Sequence, residues 1–154
     1  MDLRKQFFNL MLKRAKRDKK IIILLGDLGF SFYEQFQKEL PDQIVNVGCI
    51  EQTMVGIAAG MAKAGLKTYV YSNSLFLASR ANEQIRDDIC YNKNDVKLIG
   101  TGAAGFLGFS HNMSPGDEYK NLLGHFPNLR IEEPKDEKEL SKILFKKGAS
   151  FIKI

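Results

Sequence analysis

Short apolar runs alternate along this chain with longer stretches in which apolar residues recur every three or four positions. The short runs predict strands that are buried on both faces, as parallel strands are, and the longer stretches predict amphipathic helices. The predicted strands are 21–25, 44–47, 68–71, 96–99, 129–131 and 149–154, and the predicted helices are 3–16, 31–40, 51–65, 75–91 and 135–147. This alternation predicts an α/β fold with a doubly wound, mostly parallel six-stranded sheet and helices on both faces.

Length and composition favour an ordinary globular domain. The 154 residues, 44% of them apolar and 27% charged, are enough for a single domain over 1–154 with its own core. No apolar run reaches the roughly 18 residues of a membrane span, and the N-terminus lacks the apolar segment of a secretory signal. Cys49 and Cys90 show neither metal-ligand spacing nor a disulfide framework, which makes the cytoplasm the expected compartment.

A cluster of basic residues lies near the end of the first predicted helix. Net charge is +5, and six Lys or Arg residues lie between Lys13 and Lys20. Such a cluster can bind nucleic acid, but basic residues late in a helix also complement the helix dipole. No aromatic residues are interleaved with these charges, so we expect a solvated helix end and neither a nucleic-acid partner nor a membrane partner.

The stretch Gly48–Gly65 places a carboxylate where a predicted strand turns into a helix. Glu51 opens this helix, and small residues such as Gly56, Ala59 and Gly60 would let another backbone approach it closely. Open α/β sheets bind ligands at the carboxyl ends of their strands, which favours a functional role for Glu51. An acidic residue in a first turn can also simply complement the helix dipole. The pattern alone leaves both interpretations open.

Gly48–Gly65 resembles the signature G-I-A-E-Q-x-M-x-G-x-A-A-G-x-A-x-x-G of the pyrimidine-binding domain of transketolase-type, thiamine diphosphate-dependent enzymes. Other segments resemble further landmarks of that family in the same order along the chain. They are 26–31 for G-x-D-L-x-x-S, 76–86 for F-x-x-x-R-A-x-x-Q-I-R, 110–112 for T-H-Q, 126–128 for I-P-N and 133–136 for x-P-x-D. The resemblance implies the thiamine diphosphate-binding fold over essentially the whole chain.

The resemblance also implies how the cofactor would be held. Glu51 would hydrogen-bond N1′ of the aminopyrimidine and so activate the cofactor, and Phe76 would stack on the ring. Asn73 stands where many transketolases carry a second aromatic residue, so that side of the cofactor site should be more polar. Asp27 is similar to an aspartate that lies near the cofactor.

For the substrate, the resemblance implies contacts from Ser31 and from His111, which would also act in catalysis. His111 follows a glycine-rich loop over 100–108, expected to be a lid or wall, whereas His125 is expected to be structural. Leu107 replaces a sugar-reading aspartate, and no arginine follows the last predicted strand. A deoxy or non-phosphorylated sugar or a 2-oxo acid is therefore the expected substrate.

In that family the cofactor diphosphate and a metal ion, Mg²⁺ or Ca²⁺, are held by another domain with a G-D-G…N motif, which this sequence lacks. The resemblance therefore implies a separately encoded, diphosphate-binding partner in an α2β2 assembly that transfers a two-carbon ketol or acyl unit. No metal ligand is expected in this chain.

Two alternatives remain open. One is the small subunit of a split 2-oxo-acid decarboxylase, against which the Glu51-Gln52 pair and 110–112 argue. The other is a non-catalytic regulatory domain, against which the combination of Glu51, Phe76 and His111 argues.

Overall fold

The structure is a computed structural model that describes residues 2–102 and 118–154. The strands in this part of the chain form one sheet, in the order β2-β1-β3-β4-β6-β5. They are β1 (Ile21–Leu25), β2 (Ile44–Asn46), β3 (Lys67–Asn73), β4 (Val96–Thr101), β5 (Arg130–Glu132) and β6 (Ser150–Lys153). Every pairing between them is parallel. The predicted doubly wound, six-stranded α/β sheet is confirmed.

Helices cover both faces of the sheet. They are α1 (Leu3–Ala15), α2 (Glu34–Glu39), α3 (Glu51–Lys63), α4 (Asn82–Gln84), α5 (Glu118–Leu123) and α6 (Glu137–Leu144), with a 3₁₀ turn at Pro41–Gln43. The helix predicted at 31–40 begins later, because Ser31 has a positive φ of 71° and its N–H donates instead to the Glu34 carboxylate. The helix predicted at 135–147 is shorter because Asp136 caps its N-terminus through the Glu139 N–H.

The region predicted as one α-helix over 75–91 is helical but contains two wider turns. π-Helical segments at Phe76–Arg80 and Ile85–Tyr91 flank α4. Side chains supply donors to carbonyls in this region: Ser79 Oγ donates to the Leu75 carbonyl and Asn82 Nδ2 to the Ala78 carbonyl. Such local donors compete with regular helical hydrogen bonding, and π turns are frequent at functional sites.

The core consists of two apolar clusters, one on each face of the sheet. On one face Phe7 and Met11 of α1 and Leu140 of α6 pack against alternate strand residues such as Ile23. On the other face Leu24 and its neighbours pack against α3, the 76–91 helical region and α5. Burial on both sides explains why the strands read as continuous apolar runs.

The register brings the carboxyl ends of the first three strands together. Leu25, the last residue of β1, lies beside Asn46 of β2 and Tyr71 of β3. β3 continues two residues farther, to Asn73. The turn into α3 leaves from the same edge, so this edge assembles side chains from three strands and a helix.

The basic residues near the end of α1 are exposed. Lys16 forms an ion pair with Glu39 at 2.5 Å, and the Arg14 guanidinium lies over the Phe145 ring at 5.2 Å. Within 2–102 and 118–154, no helix has the length and apolar character needed to cross a membrane.

We predict that Phe7→Ala lowers the free energy of unfolding by about 3–5 kcal/mol, because it empties a fully buried site beside the Tyr71 ring. Phe30→Ala is the matched control, since Phe30 is 56% exposed, and should cost less than about 1 kcal/mol. Urea denaturation of both variants measures the difference. Equal losses would contradict this description of the core.

Candidate active site

The site begins at the turn from β2 into α3. Gly48 adopts a left-handed conformation (φ 82°), which a residue with a Cβ adopts less readily, and the chain reverses there into the helix. Glu51 is the first residue of α3. The expected carboxylate at the strand-to-helix turn is therefore present at the carboxyl edge of the sheet.

The Glu51 carboxylate is buried and bonded on both oxygens. The residue is only 1% exposed. Ser72 Oγ of β3 donates to Oε1 at 2.9 Å, and Arg80 Nη1 donates to Oε2 at 3.2 Å. A buried carboxylate is costly unless it is paired in this way. Complementing the helix dipole does not require partners from two other elements, so the geometry favours a built site over that simpler interpretation.

Arg80 connects Glu51 to the face of Phe76. The guanidinium carbon lies 3.8 Å from the centre of the Phe76 ring while the same group pairs with Glu51. The π-helical segment Phe76–Arg80 holds both side chains. Beside them is a depression of about 430 Å³, lined by Cys49, Ile50, Glu51, Gln52, Thr53 and Arg80.

Asn73 positions the turn that carries Phe76. Its side chain is buried, and Oδ1 accepts hydrogen bonds from the N–H groups of Leu75 (2.9 Å) and Phe76 (3.4 Å). The amide therefore caps the start of the helical region. Direct contact of Asn73 with a cofactor stays a prediction.

Asp27 belongs to a second polar group at the ends of β1 and β2. Its carboxylate accepts a hydrogen bond from Asn46 Nδ2, and Asn46 Oδ1 accepts from the N–H groups of Asp27 and Gly48. Asp27 also has a positive φ of 55°, which is uncommon outside glycine. These bonds tie Asp27 to the turn that leads to Glu51, while its predicted role near the cofactor is still a prediction.

The described residues say little about the two predicted substrate contacts, Ser31 and His111. Ser31 is exposed, and its described hydrogen bond is local, to Glu34. His111, with Ser110, Asn112 and Leu107, lies outside the described residues. His125 is exposed after the end of α5, with its ring edge-on to Phe126 at 4.6 Å.

Sequence reasoning did not single out Ser72 and Arg80. Ser72 lies beyond the predicted strand 68–71, whereas β3 continues through it and the strand alternation turns it towards α3. Arg80 lies four residues after Phe76 within the F-x-x-x-R segment, and that spacing on a helix is a usable signal of contact.

The space around Gly26 explains why this motif position is a glycine. A Cβ at this position would lie 2.7 Å from Ser72 Oγ and 3.2 Å from Met54 Cε. Any larger residue would therefore press on the hydroxyl that holds Glu51. Gly26 leaves room for that hydrogen bond.

Residues 1–149 match the family model described as "Transketolase, pyrimidine binding domain". The chain belongs to this family. The family is one of thiamine diphosphate-dependent enzymes, so the resemblance found in the sequence is confirmed.

Two relatives illustrate the range of the family. The chain is 35% identical over 145 residues to a subunit of the apulose-4-phosphate transketolase of Phocaeicola vulgatus, covering 92% of this chain and 46% of that protein. It is 38% identical over 130 residues to "1-deoxy-D-xylulose-5-phosphate synthase" of Bacillus cereus, covering 84% of this chain and 20% of that protein. The chain thus spans half or less of the length of these relatives.

Solved structures agree with the fold. A structure titled "Split gene transketolase, inactive beta4 tetramer" superposes with a TM-score of 0.83 at 28% identity, covering 97% of this chain and 50% of that chain. Transketolase from Campylobacter jejuni superposes with a TM-score of 0.81 at 18% identity, covering 97% of this chain and 25% of that chain. The second likeness concerns the fold alone.

Among the described residues, no group of three or more His, Cys, Asp or Glu side chains is placed to hold a metal ion. The site presents the Glu51 carboxylate, the Ser72 hydroxyl, the Arg80 guanidinium and the face of the Phe76 ring. Hydrogen bonding and stacking of a flat heterocycle are the interactions that this set supports.

We predict that Ser72→Ala lowers the free energy of unfolding by about 1.5–3 kcal/mol, because its hydroxyl donates to a buried carboxylate. Ser74→Ala is the matched control: Ser74 is also buried but donates to the neutral Thr101 carbonyl, so the loss should be about 0.5–1.5 kcal/mol. In a Glu51→Gln background the Ser72→Ala loss should fall to the control's range. Denaturant unfolding measures all three, and an unchanged loss in that background would disprove the pairing.

Proposed function

We propose that this chain is the pyrimidine-binding subunit of a split transketolase-like enzyme that transfers a two-carbon ketol or acyl unit. The observation that carries the proposal is the buried Glu51 carboxylate, which holds a flat cation against the Phe76 ring. A carboxylate and an aromatic face around one planar group are what a cofactor's pyrimidine ring requires.

The residues present fit an aminopyrimidine ring. The Arg80 guanidinium is planar, donates one N–H to Glu51 and lies over the Phe76 ring, so Glu51 and Phe76 already accept a group of that shape and chemistry. When bound, thiamine diphosphate supplies a carbon nucleophile at C2 of its thiazolium ring. Glu51 and Phe76 would hold the pyrimidine half of that cofactor.

Each residue of the site has a distinct task in this proposal. Glu51 shares a proton with the ring nitrogen, as a general acid or base positioned within hydrogen-bond reach does. Ser72 fixes Oε1, which leaves Oε2 to meet the ring. Phe76 supplies the stacking face. Met54 and Val55, fully buried behind the first turn of α3, exclude water from that side of the carboxylate.

The diphosphate and its metal ion, Mg²⁺ or Ca²⁺, are proposed to bind to a separately encoded partner subunit. In support, one relative is named as one subunit of a transketolase, and one solved relative is a split-gene transketolase. We infer an α2β2 assembly in the cytoplasm with a small sugar or 2-oxo acid as substrate. His111 and Ser31 are the proposed substrate contacts, and Asp27 and Asn73 are the proposed additional cofactor contacts.

Neither alternative function gains support from the described residues. A decarboxylase subunit would use the same Glu51 pocket, so the pocket does not favour it. A purely regulatory domain would have no need to keep a carboxylate buried at the cost of two dedicated partners.

We predict that Glu51→Gln in the reconstituted enzyme lowers exchange of the cofactor C2 proton by about two to four powers of ten, because the variant cannot share a proton with the ring. Assembly should be unchanged. Hydrogen–deuterium exchange at C2 is the measurement, and Glu83→Gln, an exposed position on α4, is the control. An unchanged exchange rate would leave Glu51 with a structural role only.

The outer face of α3 supports an assembly surface. A Cβ at Gly60 would meet no atom within 4 Å, so nothing in the described part of the chain requires a glycine there. A groove of about 220 Å³ runs along this face, lined by Gly56, Ala59, Gly60, Lys63, Asp88, Asn92 and Asn94. Gly within a helix costs about 1 kcal/mol relative to Ala, and close approach of a partner subunit would explain why it is kept.

We predict that Gly60→Leu obstructs assembly with the partner subunit, because overpacking a close contact costs about 1–3 kcal/mol or more. The isolated chain should stay folded, since Gly60 faces open space. Light scattering and circular dichroism measure the two properties. Lys138→Leu, at an exposed position of α6 on the opposite face of the sheet, is the control. Normal assembly of Gly60→Leu, or its outright unfolding, would contradict the prediction.

A further inference from the structure

Arg80 makes the contacts that the proposed function assigns to the cofactor ring. Its Nη1 donates to Glu51 Oε2, and its guanidinium carbon lies over the Phe76 ring, 3.8 Å from the ring centre. One carboxylate oxygen and one ring face cannot serve both groups in the same geometry. Arg80 and the pyrimidine ring are therefore mutually exclusive in these positions.

Arg80 can leave without unfolding its surroundings. Its side chain is 44% exposed, whereas Glu51 beneath it is 1% exposed, so Arg80 forms the outer side of the site. The depression of about 430 Å³ beside it gives the side chain room to move outwards. The flexible stem of an arginine allows such a movement by rotamer change alone.

We propose that Arg80 is a specificity-determining residue that competes with the incoming ring for Glu51 and Phe76. The proposal rests on the proposed function. The departing guanidinium takes its positive charge away from a buried carboxylate, and the ring must then share a proton with Oε2 to compensate. A flat ring without a suitably placed nitrogen cannot do so. Arg80 thus lowers the apparent affinity of the site for every ring, and lowers it most for apolar rings, so that nitrogen heterocycles are selected.

The test uses the full chain and the probe 4-amino-2-methylpyrimidine, titrated by isothermal calorimetry into the wild type, Arg80→Ala and Arg80→Ala/Glu51→Gln. Arg80→Ala should bind the probe at least about tenfold more tightly than the wild type, because a site that is open only part of the time loses apparent affinity by that fraction. The double variant should lose this gain. Methylguanidinium, the missing head group, should also bind Arg80→Ala and not the wild type.

Two further variants serve as controls. Arg86→Ala removes an arginine of the same helical region that is exposed and paired with Asp87, and should behave as the wild type does. Arg80→Lys keeps a cation for Glu51 but has no plane to stack, so it should stay folded even where Arg80→Ala does not, and should bind the probe more tightly than the wild type.

The outcomes separate the competition from the function on which it rests. Equal or weaker probe binding by both Arg80 variants, still dependent on Glu51, would overturn the competition and leave the proposed function standing. Binding of methylguanidinium but not of the pyrimidine by Arg80→Ala would overturn both.

Discussion

The candidate site depends on keeping one carboxylate, that of Glu51, out of water. A buried ionised group costs several kcal/mol unless charge and hydrogen bonds compensate it. Ser72 provides one bond from β3 and Arg80 provides the other from the 76–91 helical region. Residue 26 is a glycine, and a Cβ at that position would push against Ser72 Oγ. Three segments of the chain are thus constrained by one side chain.

The parallel sheet explains why these segments can meet. Parallel strands present their carboxyl ends at one edge, and the turn into α3 leaves from that edge. Apolar clusters pack against both faces of the strands, and this packing fixes the positions of the polar groups at the edge. The outer face of α3 keeps its glycines, which is consistent with a site completed by another subunit.

Much of this arrangement could be predicted from the sequence. Continuous apolar runs identify strands such as Ile21–Leu25, and Glu51 is recognisable at the strand-to-helix turn. The extension of β3 could not be predicted, because Ser72 and Asn73 are polar and resemble loop residues. They are buried since they bond to Glu51 and to the turn carrying Phe76. Apolar periodicity also does not distinguish a π turn from an α turn, so the stacking of Arg80 on Phe76 required the structure.

The central claim is that Glu51 meets a pyrimidine ring that lies on Phe76. A crystal structure of the chain assembled with the proposed diphosphate-binding partner and thiamine diphosphate tests this most directly. The account predicts a ring nitrogen about 2.6–3.2 Å from Glu51 Oε2, with Arg80 displaced from the Phe76 face. A pyrimidine ring bound away from Glu51, or a guanidinium still stacked on Phe76 beneath a bound cofactor, would contradict it.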